Sequence, residues 1–371
     1  MDPLARFCHN PDCPARGQSG LSNIRVHSRK ERRFRCTTCG QTFVATRDTP
    51  SYRLKKSLDL VTLVITLLCH GCPVQAIVAA FGLDERTVAD WRDRAGRHGE
   101  RLHEQVVLQG QVDLRHVQAD ELYAKVVGRR LWMAMAMAVP SRLWLGGRVG
   151  ACRDLNLITA VVRMVRRAAK STACLVCVDG LASYVTAFTR VFRNPVRTGQ
   201  AGRPRLVATP GLLLGQVIKH HSGRRLVSVT RRVVSGTAQA IAAVPVATGT
   251  GTGINTAYIE RLNATFRAAV CPLVRRGRAL VRGEGALTGW MYLVGCSYNF
   301  CWEHDSLRIA AVPGQRLRWQ ARTPAMAAGL TDHRWTMYEL LSYPIRLPPW
   351  VAPKRRGRPP KRIQAPGTLP A

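Results

Sequence analysis

Acidic residues are scarce in this chain. Of its 371 residues, 22 are Asp or Glu and 56 are Lys or Arg, so the formal net charge is +34. The basic residues are spread along the sequence and are not confined to one tail. Because such a chain repels itself unless it binds a polyanion, counterion release from DNA or RNA is the natural source of affinity. The composition predicts a nucleic-acid-binding protein, with a ribosomal or membrane-surface protein as the alternative.

Long apolar runs are missing as well. No stretch reaches the roughly 18 uninterrupted apolar residues that a membrane-spanning helix needs, and the opening letters, MDPLARFCHNPDC, contain no apolar signal region. We therefore expect a cytoplasmic protein without a membrane partner. The length of 371 residues and the hydrophobic content of 46% predict two to three domains.

Four cysteines near the start have the spacing of a metal site. Cys8 and Cys13 form one close pair, and Cys36 and Cys39 form the second. Two such pairs separated by a linker are typical of a zinc ribbon, in which four thiolates surround one structural Zn²⁺. The linker supplies a basic surface, made of Arg25, Arg29, Lys30, Arg32, Arg33 and Arg35.

Two other cysteine pairs imitate this spacing. Cys69 and Cys72 lie at the end of an apolar helical segment, and Cys174 and Cys177 lie inside a strand-like run. Because both pairs have apolar surroundings, we interpret them as buried thiols and not as metal ligands.

A helix-turn-helix pattern follows the ribbon. The segment CPVQAIVAAFGLDERTVADWRDRAGR reads as a helix, a break at Gly82, and a second helix that Asp84 caps. Glu85–Arg97 is the predicted recognition helix, with an ordinary helical hairpin as the alternative. Its outward-facing residues, predicted to contact DNA, include Arg86, Thr87, Arg94 and Arg97.

From about residue 114 the pattern changes to that of a layered α/β domain. Three strand-length runs (HVQADELYAKVV, LWMAMAMAVP and RLWLGGRVG) precede an amphipathic helix, a short buried strand and another helix. A Pro/Gly/Arg-rich stretch, 193–216, interrupts this domain. One more strand, RLVSVTRRVVSG, a flexible loop, PVATGTGTG, and the helix NTAYIERLNATFRAAV follow.

Three of the few carboxylates stand out by their positions. Asp120 lies in the first strand run, Asp179 ends a buried strand, and Glu260 borders the apolar stripe of a helix. Three converging carboxylates can hold two Mg²⁺ ions, or Mn²⁺, for phosphodiester chemistry. Pattern alone leaves other choices open, namely Glu121, Asp154, Glu284 and Glu303. We favour Asp120 over Glu121 because adjacent strand residues point to opposite faces.

The last residues form a basic, proline-rich tail that we expect to be disordered. Within it, the run Arg356-Gly357-Arg358-Pro359 resembles an AT-hook, which lies along the narrow minor groove of A·T-rich DNA. The alternative is a tail that only adds solubility.

Several of these segments together resemble the DDE transposases of bacterial insertion sequences, in particular those with an N-terminal zinc ribbon and helix-turn-helix. The resemblance rests on CHNPDCPARG, RFRCTTCGQTF, QADELYAKV, CVDGLASY, INTAYIERLNATFR, YNFCWEHDSLR and TPAMAAGLTDHRWT. It covers most of residues 8–340. In YNFCWEHDSLR, Trp302 and Glu303 precede His304 where family members often carry Arg-Pro, so the sequence assigns no catalytic role to His304.

The resemblance implies an RNase H-like catalytic core in which Asp120, Asp179 and Glu260 match the acidic triad that holds divalent ions. It also implies a bacterial, nucleoid-associated enzyme that cuts a strand at the end of an element and transfers the freed 3′-hydroxyl into target DNA, working as a dimer or larger assembly on double-stranded DNA. Asn263 and Arg267 share the face of Glu260 and are predicted to contact DNA.

The predicted organisation has five parts: a zinc ribbon at 1–50, a helix-turn-helix domain at 55–105, an RNase H-like catalytic domain at 112–310, an extension at 311–350 and the basic tail at 351–371. Three other interpretations stay open: a non-catalytic DNA-binding regulator, a nuclease that cuts strands without joining them, and a domesticated or decayed transposase.

Overall fold

The computed structural model describes residues 2–197, 199, 202–223, 225–275, 277, 279–311 and 318–352. The chain divides into two compact units, Met1–Ala45 with Arg346–Ala371, and Thr46–Ile345. Within the described ranges, no helix combines the length and the apolar character that crossing a membrane requires.

The first unit is a small antiparallel sheet beside the cysteines. Its three strands are β1 (Ile24–Ser28), β2 (Arg33–Cys36) and β3 (Thr42–Val44). Ile24, Phe34 and Phe43 form its core together with the cysteines, and the Phe34 and Phe43 ring centroids are 5.8 Å apart. So few apolar side chains give little burial energy, and domains this small are usually stabilised by a disulfide or a structural metal as well.

The second unit begins with three helices, α1 (Leu58–Cys69), α2 (Val74–Phe81) and α3 (Glu85–Val106). Gly82 ends α2 in the left-handed conformation, with φ 59°. The Asp84 side chain accepts hydrogen bonds from the backbone N–H groups of Arg86 (2.8 Å) and Thr87 (3.3 Å) and so starts α3. The helix, glycine turn and helix are where the sequence predicts them, but α3 continues past Arg97 to Val106.

A six-stranded mixed sheet follows, and its members are β4 (His116–Val126), β5 (Arg129–Ala138), β6 (Leu143–Gly150), β7 (Leu175–Asp179), β10 (Leu213–Ser222) and β11 (Arg225–Ser235). The strand order is β11-β10-β7-β4-β5-β6. β7 runs parallel to both of its neighbours, and the other pairs are antiparallel. Two short hairpins lie outside this sheet, formed by β8 (Arg193–Val196) with β9 (Arg205–Ala208) and by β12 (Ile309–Ala310) with β13 (Trp319–Gln320).

Helices cover both faces of the sheet, as the alternation along β5 requires. Its methionines pack with α7 (Ala257–Ala269) and α8 (Glu284–Phe300), whereas its alanines face α4 (Leu155–Ala168) and α5 (Ala182–Val191). The remaining helices are α6 (Ala238–Ala247), α9 (Pro324–Ala327) and α10 (Met337–Ser342). The predicted α/β class with a mixed, helix-flanked sheet is confirmed.

The prediction that 193–216 interrupts the domain is wrong at the end of this stretch. β10 begins at Leu213 and pairs in parallel with β7, so the last residues of the stretch belong to the central sheet. The apolar letters LLLGQVI after Pro210-Gly211 have the character of a buried strand, which the many nearby Arg, Pro and Gly residues obscure. The sequence pattern also does not predict α6, whose last turn includes the start of the predicted loop at Pro245.

The C-terminal half of α3 packs closely against α8 through two glycines. A Cβ added to Gly96 would lie 2.3 Å from the carbonyl oxygen of Gly289, so only hydrogen fits there. A Cβ added to Gly289 would have its nearest neighbour at 3.8 Å, which is an ordinary contact. Because α3 is continuous, this contact fixes its N-terminal half relative to the sheet.

We predict opposite effects for two Gly→Ala substitutions at this crossing. Gly96→Ala should destabilise the protein by about 1–3 kcal/mol, because two backbones must separate. Gly289→Ala, its matched control, should be neutral or stabilising by up to about 1 kcal/mol, because Ala favours the helix. Calorimetric unfolding of the full-length variants measures both, and equal effects would contradict the close approach.

Candidate functional site

The four predicted zinc ligands converge in the first unit. Their four sulfur atoms all lie within 4.8 Å of one another; the residues are Cys8, Cys13, Cys36 and Cys39. The Cys8 and Cys39 sulfurs are 3.6 Å apart. This separation is too long for a disulfide and close to the roughly 3.8 Å that two thiolates adopt on one tetrahedral Zn²⁺. The donor set and its spacing fit a structural zinc ion.

Hydrogen bonds around the cysteines suit thiolates. The backbone N–H of Asn10 donates to Cys8 Sγ at 3.5 Å, and the Asn23 side chain donates to Cys36 Sγ at 3.6 Å. Burial raises the pKa of Cys8 and of Cys13, whereas in Cys39 hydrogen bonds from Gln41 and Asn10 outweigh the effect of burial and lower the pKa of the thiol to about 7. Such donors orient metal ligands and support their charge.

The exposed face of the ribbon is basic, as the sequence predicts. Arg25 and Arg35 are both exposed and lie directly opposite each other on β1 and β2. Like charges in this position weaken a sheet unless an anion is bound between them. Arg33 is half-buried and donates to Thr42 Oγ1 at 2.7 Å, so this cation is partly committed to the fold.

An acidic cluster lies where β7 ends beside β4. The parallel register pairs Ala119 with Val178, which brings the next residues, Asp120 and Asp179, to the same edge of the sheet. A carboxylate oxygen from each lies within 4.8 Å of the other and of one from Glu121. Carboxylate oxygens are the ligands that divalent cations such as Mg²⁺ prefer, so this group could hold one.

Glu121 belongs to this cluster, contrary to the expectation from strand alternation. Its side chain does reach the opposite face, where the hydroxyl of Tyr184 donates to it at 2.8 Å and Arg153 forms an ion pair with it. Even so, a Glu121 carboxylate oxygen lies within 4.8 Å of oxygens of Asp120 and Asp179. Burial raises the pKa of Glu121, and the charge of Asp179 adds to this effect.

Glu260 approaches from α7 on the other side of an open cavity. Asp120, Asp179 and Glu260 all line this cavity, which has a volume of about 450 Å³. Glu260 is outside the group of oxygens that lie within 4.8 Å of one another. It accepts instead from Lys219 Nζ at 2.6 Å and from Thr256 Oγ1 at 2.9 Å.

Two cations that no sequence motif marks compensate these acids. Arg153, between β6 and α4, pairs with Glu121 and with Asp179, the latter at 3.1 Å, and Lys219 on β10 pairs with Glu260. Only the fold selects them among the 56 basic residues. Three carboxylates, those of Asp120, Asp179 and Glu260, line the cavity beside Arg153 and Lys219, and such a group of oxygen donors suits a divalent ion.

Asp120 is the most perturbed of the acids facing the cavity. Burial raises its pKa to about 7, the charge of Glu121 adds to this, and a hydrogen bond from the Glu121 backbone N–H opposes it. Asn263 Nδ2 donates to Asp120 Oδ2 at 2.7 Å.

The structure corrects the prediction that Asn263 contacts DNA. Asn263 is only 1% exposed, and its side chain holds Asp120 in place through a hydrogen bond. Its Oδ1 atom is buried and has no hydrogen-bond partner among the described residues. Arg267 is half-buried and close enough to Asp120 to interact with its charge.

The predicted recognition residues differ in their availability. Arg86 and Arg97 are exposed on α3, and Thr87 is half-buried. Arg94 is committed to local contacts, since Nε donates to Asp90 at 2.7 Å and Nη1 donates to the Tyr52 carbonyl at 3.1 Å. The AT-hook-like residues Arg356 and Arg358 lie outside the described residues.

The competing acids have local structural partners. Asp154 caps α4 by accepting from the Leu157 N–H at 2.9 Å, and Glu303 pairs with Arg334 at 3.1 Å. Glu284 begins α8. None of these three is among the described residues that line the acidic cavity.

Comparison of the chain with models of protein families finds no match, and comparison with curated protein sequences finds none either.

We predict that Cys36→Ser removes about one equivalent of zinc from the purified protein, because three thiolates bind the ion less tightly than four. Cys152→Ser is the matched control, since Cys152 is an exposed cysteine outside the cluster. Atomic absorption on both variants gives the answer. Unchanged zinc in Cys36→Ser would exclude the ribbon site.

We predict a pH-dependent effect of Asp120→Asn on stability without added divalent metal. The folded-state pKa of Asp120 is about 7, against an ordinary 3.8, so its stabilising contribution is complete below pH 3.8 and is lost as the pH rises through about 7. The free energy of unfolding of the variant should therefore rise relative to that of the wild type between about pH 4 and pH 8, by up to about 4 kcal/mol.

The control for this experiment is Asp113→Asn, because Asp113 is exposed and pairs only with Arg115 among the described contacts. Urea unfolding at several pH values measures the difference. A gap between Asp120→Asn and the wild type that does not change with pH would refute the perturbed carboxyl.

Proposed function

We propose that this chain is a DNA transposase that cuts a strand at the end of a mobile element and joins the freed 3′-hydroxyl to target DNA. One observation carries the proposal. Asp120, Asp179 and Glu260, which are 59 and 81 residues apart in sequence (179 − 120 and 260 − 179), line one open cavity at the edge of the mixed sheet.

The order of the strands supports an RNase H-like core. Three antiparallel strands, β4 to β6, precede α4, and β7 and β10 then extend the sheet in parallel from its centre. The first acid lies on the central strand β4, the second at the end of β7, and the third on α7. This placement agrees with what the resemblance to DDE transposases implies.

We propose Asp120, Asp179 and Glu260 as ligands for Mg²⁺ or Mn²⁺, with Glu121 as a further carboxylate at the base of the site. When bound, such ions activate a water or a 3′-hydroxyl and stabilise the leaving oxygen of a phosphodiester. The hard oxygen donors of the cavity suit these cations.

The neighbouring side chains prepare the site. Asn263 orients Asp120, and Tyr184 with Arg153 holds Glu121. The side chains of Arg153 and Lys219 are 36% and 43% exposed, so each reaches solvent beyond its acid contacts. If the carboxylates held metal ions, Arg153 and Lys219 would be available to the phosphates of a bound strand.

Surfaces outside the acidic cavity would bind DNA. The basic ribbon face, the exposed arginines of α3 and the basic tail supply sequence-independent affinity and position the duplex. The α3–α8 contact gives a duplex bound by α3 a fixed place relative to the acidic cavity. A dimer or larger assembly would hold two element ends at once.

The proposal predicts that Asp179→Asn and Glu260→Gln each lower strand joining by at least about 100-fold. Glu303→Gln, an acid outside the cavity, should stay within about twofold of the wild type. Incubation with labelled duplexes from the DNA that flanks the gene, with Mg²⁺ or Mn²⁺, separates cut and joined products on a gel.

The same gel distinguishes the alternatives. Cut products without joined ones would indicate a nuclease. Sequence-specific binding without metal-dependent products would indicate a regulator. Intact joining by both cavity variants would show that these acids are not the metal ligands.

A further inference from the structure

A second cavity borders the first turns of α7, next to the acidic one. Its volume is about 470 Å³, within the range of sites that bind small molecules. Glu260 faces the acidic cavity, and the next residue, Arg261, lines the second. Consecutive helical residues point about 100° apart, so the two cavities share the wall that α7 forms.

The second cavity is positively charged. Arg142 and Arg261 line it, and no Asp or Glu is among its described lining residues. Arg261 is exposed and makes no ion pair among the described contacts. Asp305 lies near enough to influence His304 but does not line the cavity. A phosphate group would supply the missing counter-charge.

Arg142 is held rigidly in this wall. It lies in the turn between β5 and β6 with φ 59°, a conformation that Gly or Asn adopts at lower cost. Its guanidinium carbon lies 3.9 Å from the centroid of the Tyr258 ring, and the same group donates to the Val139 carbonyl. The fold therefore presents a fixed, planar cation stacked on an aromatic ring.

Polar groups line the same cavity. Tyr298 lines the cavity and is 3% exposed as a whole residue. His304 Nε2 is buried without a partner among the described residues. Their rings are 4.7 Å apart and nearly perpendicular. Buried polar groups normally have partners, so a ligand with donors and acceptors is expected at this place.

We propose that this second cavity binds one nucleotide of a DNA strand, with Arg142 and Arg261 on its phosphate and Tyr298 with His304 at the edge of its base. An extrahelical or single-stranded nucleotide presents this combination of a charge and a hydrogen-bonding ring. The inference rests on the proposed DNA-handling function but not on its strand chemistry. The bound nucleotide would lie beside Glu260, next to the phosphodiester bond on which the acids would act.

The test uses anisotropy of a labelled 12-nucleotide oligothymidylate without divalent metal, at several salt concentrations. Arg261→Ala should weaken binding about 3–10-fold and reduce the magnitude of the log–log salt slope by about 0.7, the effect of one lost phosphate contact. Tyr298→Phe should weaken binding about 2–5-fold with the slope unchanged, because it removes one hydrogen bond and no charge.

Arg190→Ala is the control, since Arg190 is an exposed arginine on α5, on the opposite face of the sheet from α7. It should change affinity less than twofold. A second oligonucleotide with abasic positions tests whether the base contributes to binding. Tyr298→Phe should bind it as tightly as the wild type does, because the base that Tyr298 would contact is missing.

The proposal is overturned if Arg261→Ala has the same affinity and salt slope as Arg190→Ala. It is also overturned if Tyr298→Phe binds the oligothymidylate as tightly as the wild type does. Failure of the wild type to bind the oligothymidylate would overturn it as well. The binding assay contains no divalent metal. Its result is therefore independent of whether the variants of the acidic cavity lose strand joining. Binding that depends on the second cavity in a protein without joining activity would separate the two proposals.

Discussion

The pairing of acids with a few cations at the end of β7 is the interaction on which the candidate site depends. Carboxylate oxygens of Asp120, Glu121 and Asp179 lie within 4.8 Å of one another, Glu260 lines the same cavity as Asp120 and Asp179, and mutual repulsion would push these acids apart. Arg153 and Lys219 hold them together when no metal is bound. The raised pKa of Asp120 reflects the remaining imbalance. This group of carboxylate oxygens could hold a divalent cation in an otherwise strongly positive protein.

The second organising feature is the single long helix α3. Its first half carries the exposed arginines Arg86 and Arg97, and its second half is packed on α8 through Gly96. α8 in turn packs on the sheet that positions the acids. A flexible linker after Arg97 would leave the distance from Arg86 to the acidic cavity open, whereas one continuous helix with a backbone contact fixes it. Nothing in the sequence marks the glycine that permits this approach, since mid-helix glycines usually only cost stability.

Much of the fold follows from local pattern. The alternating Met and Ala of β5 and the capped start of α3 both carry strong periodic or terminal signals, and both lie where the sequence predicts them. β10 escapes prediction because its apolar run follows a Pro/Gly/Arg-rich stretch and continues into a polar hairpin, so neither end has a clear boundary. The predicted DNA contact of Asn263 is wrong because helical spacing shows which face a residue occupies but not how deeply that face is buried.

The sequence alone determined the spacing of the four cysteines, the excess of positive charge and the position of Asp179 at the end of an apolar run, because these depend on covalent order and composition. Only the tertiary structure decided that Glu121 joins the cluster, that Arg153 and Lys219 form ion pairs with the acids, and that Arg142 and Arg261 share a second cavity with Tyr298. Those relations join residues far apart along the chain, and the distance between two such side chains is set by the packing of helices on the sheet, which no local pattern encodes.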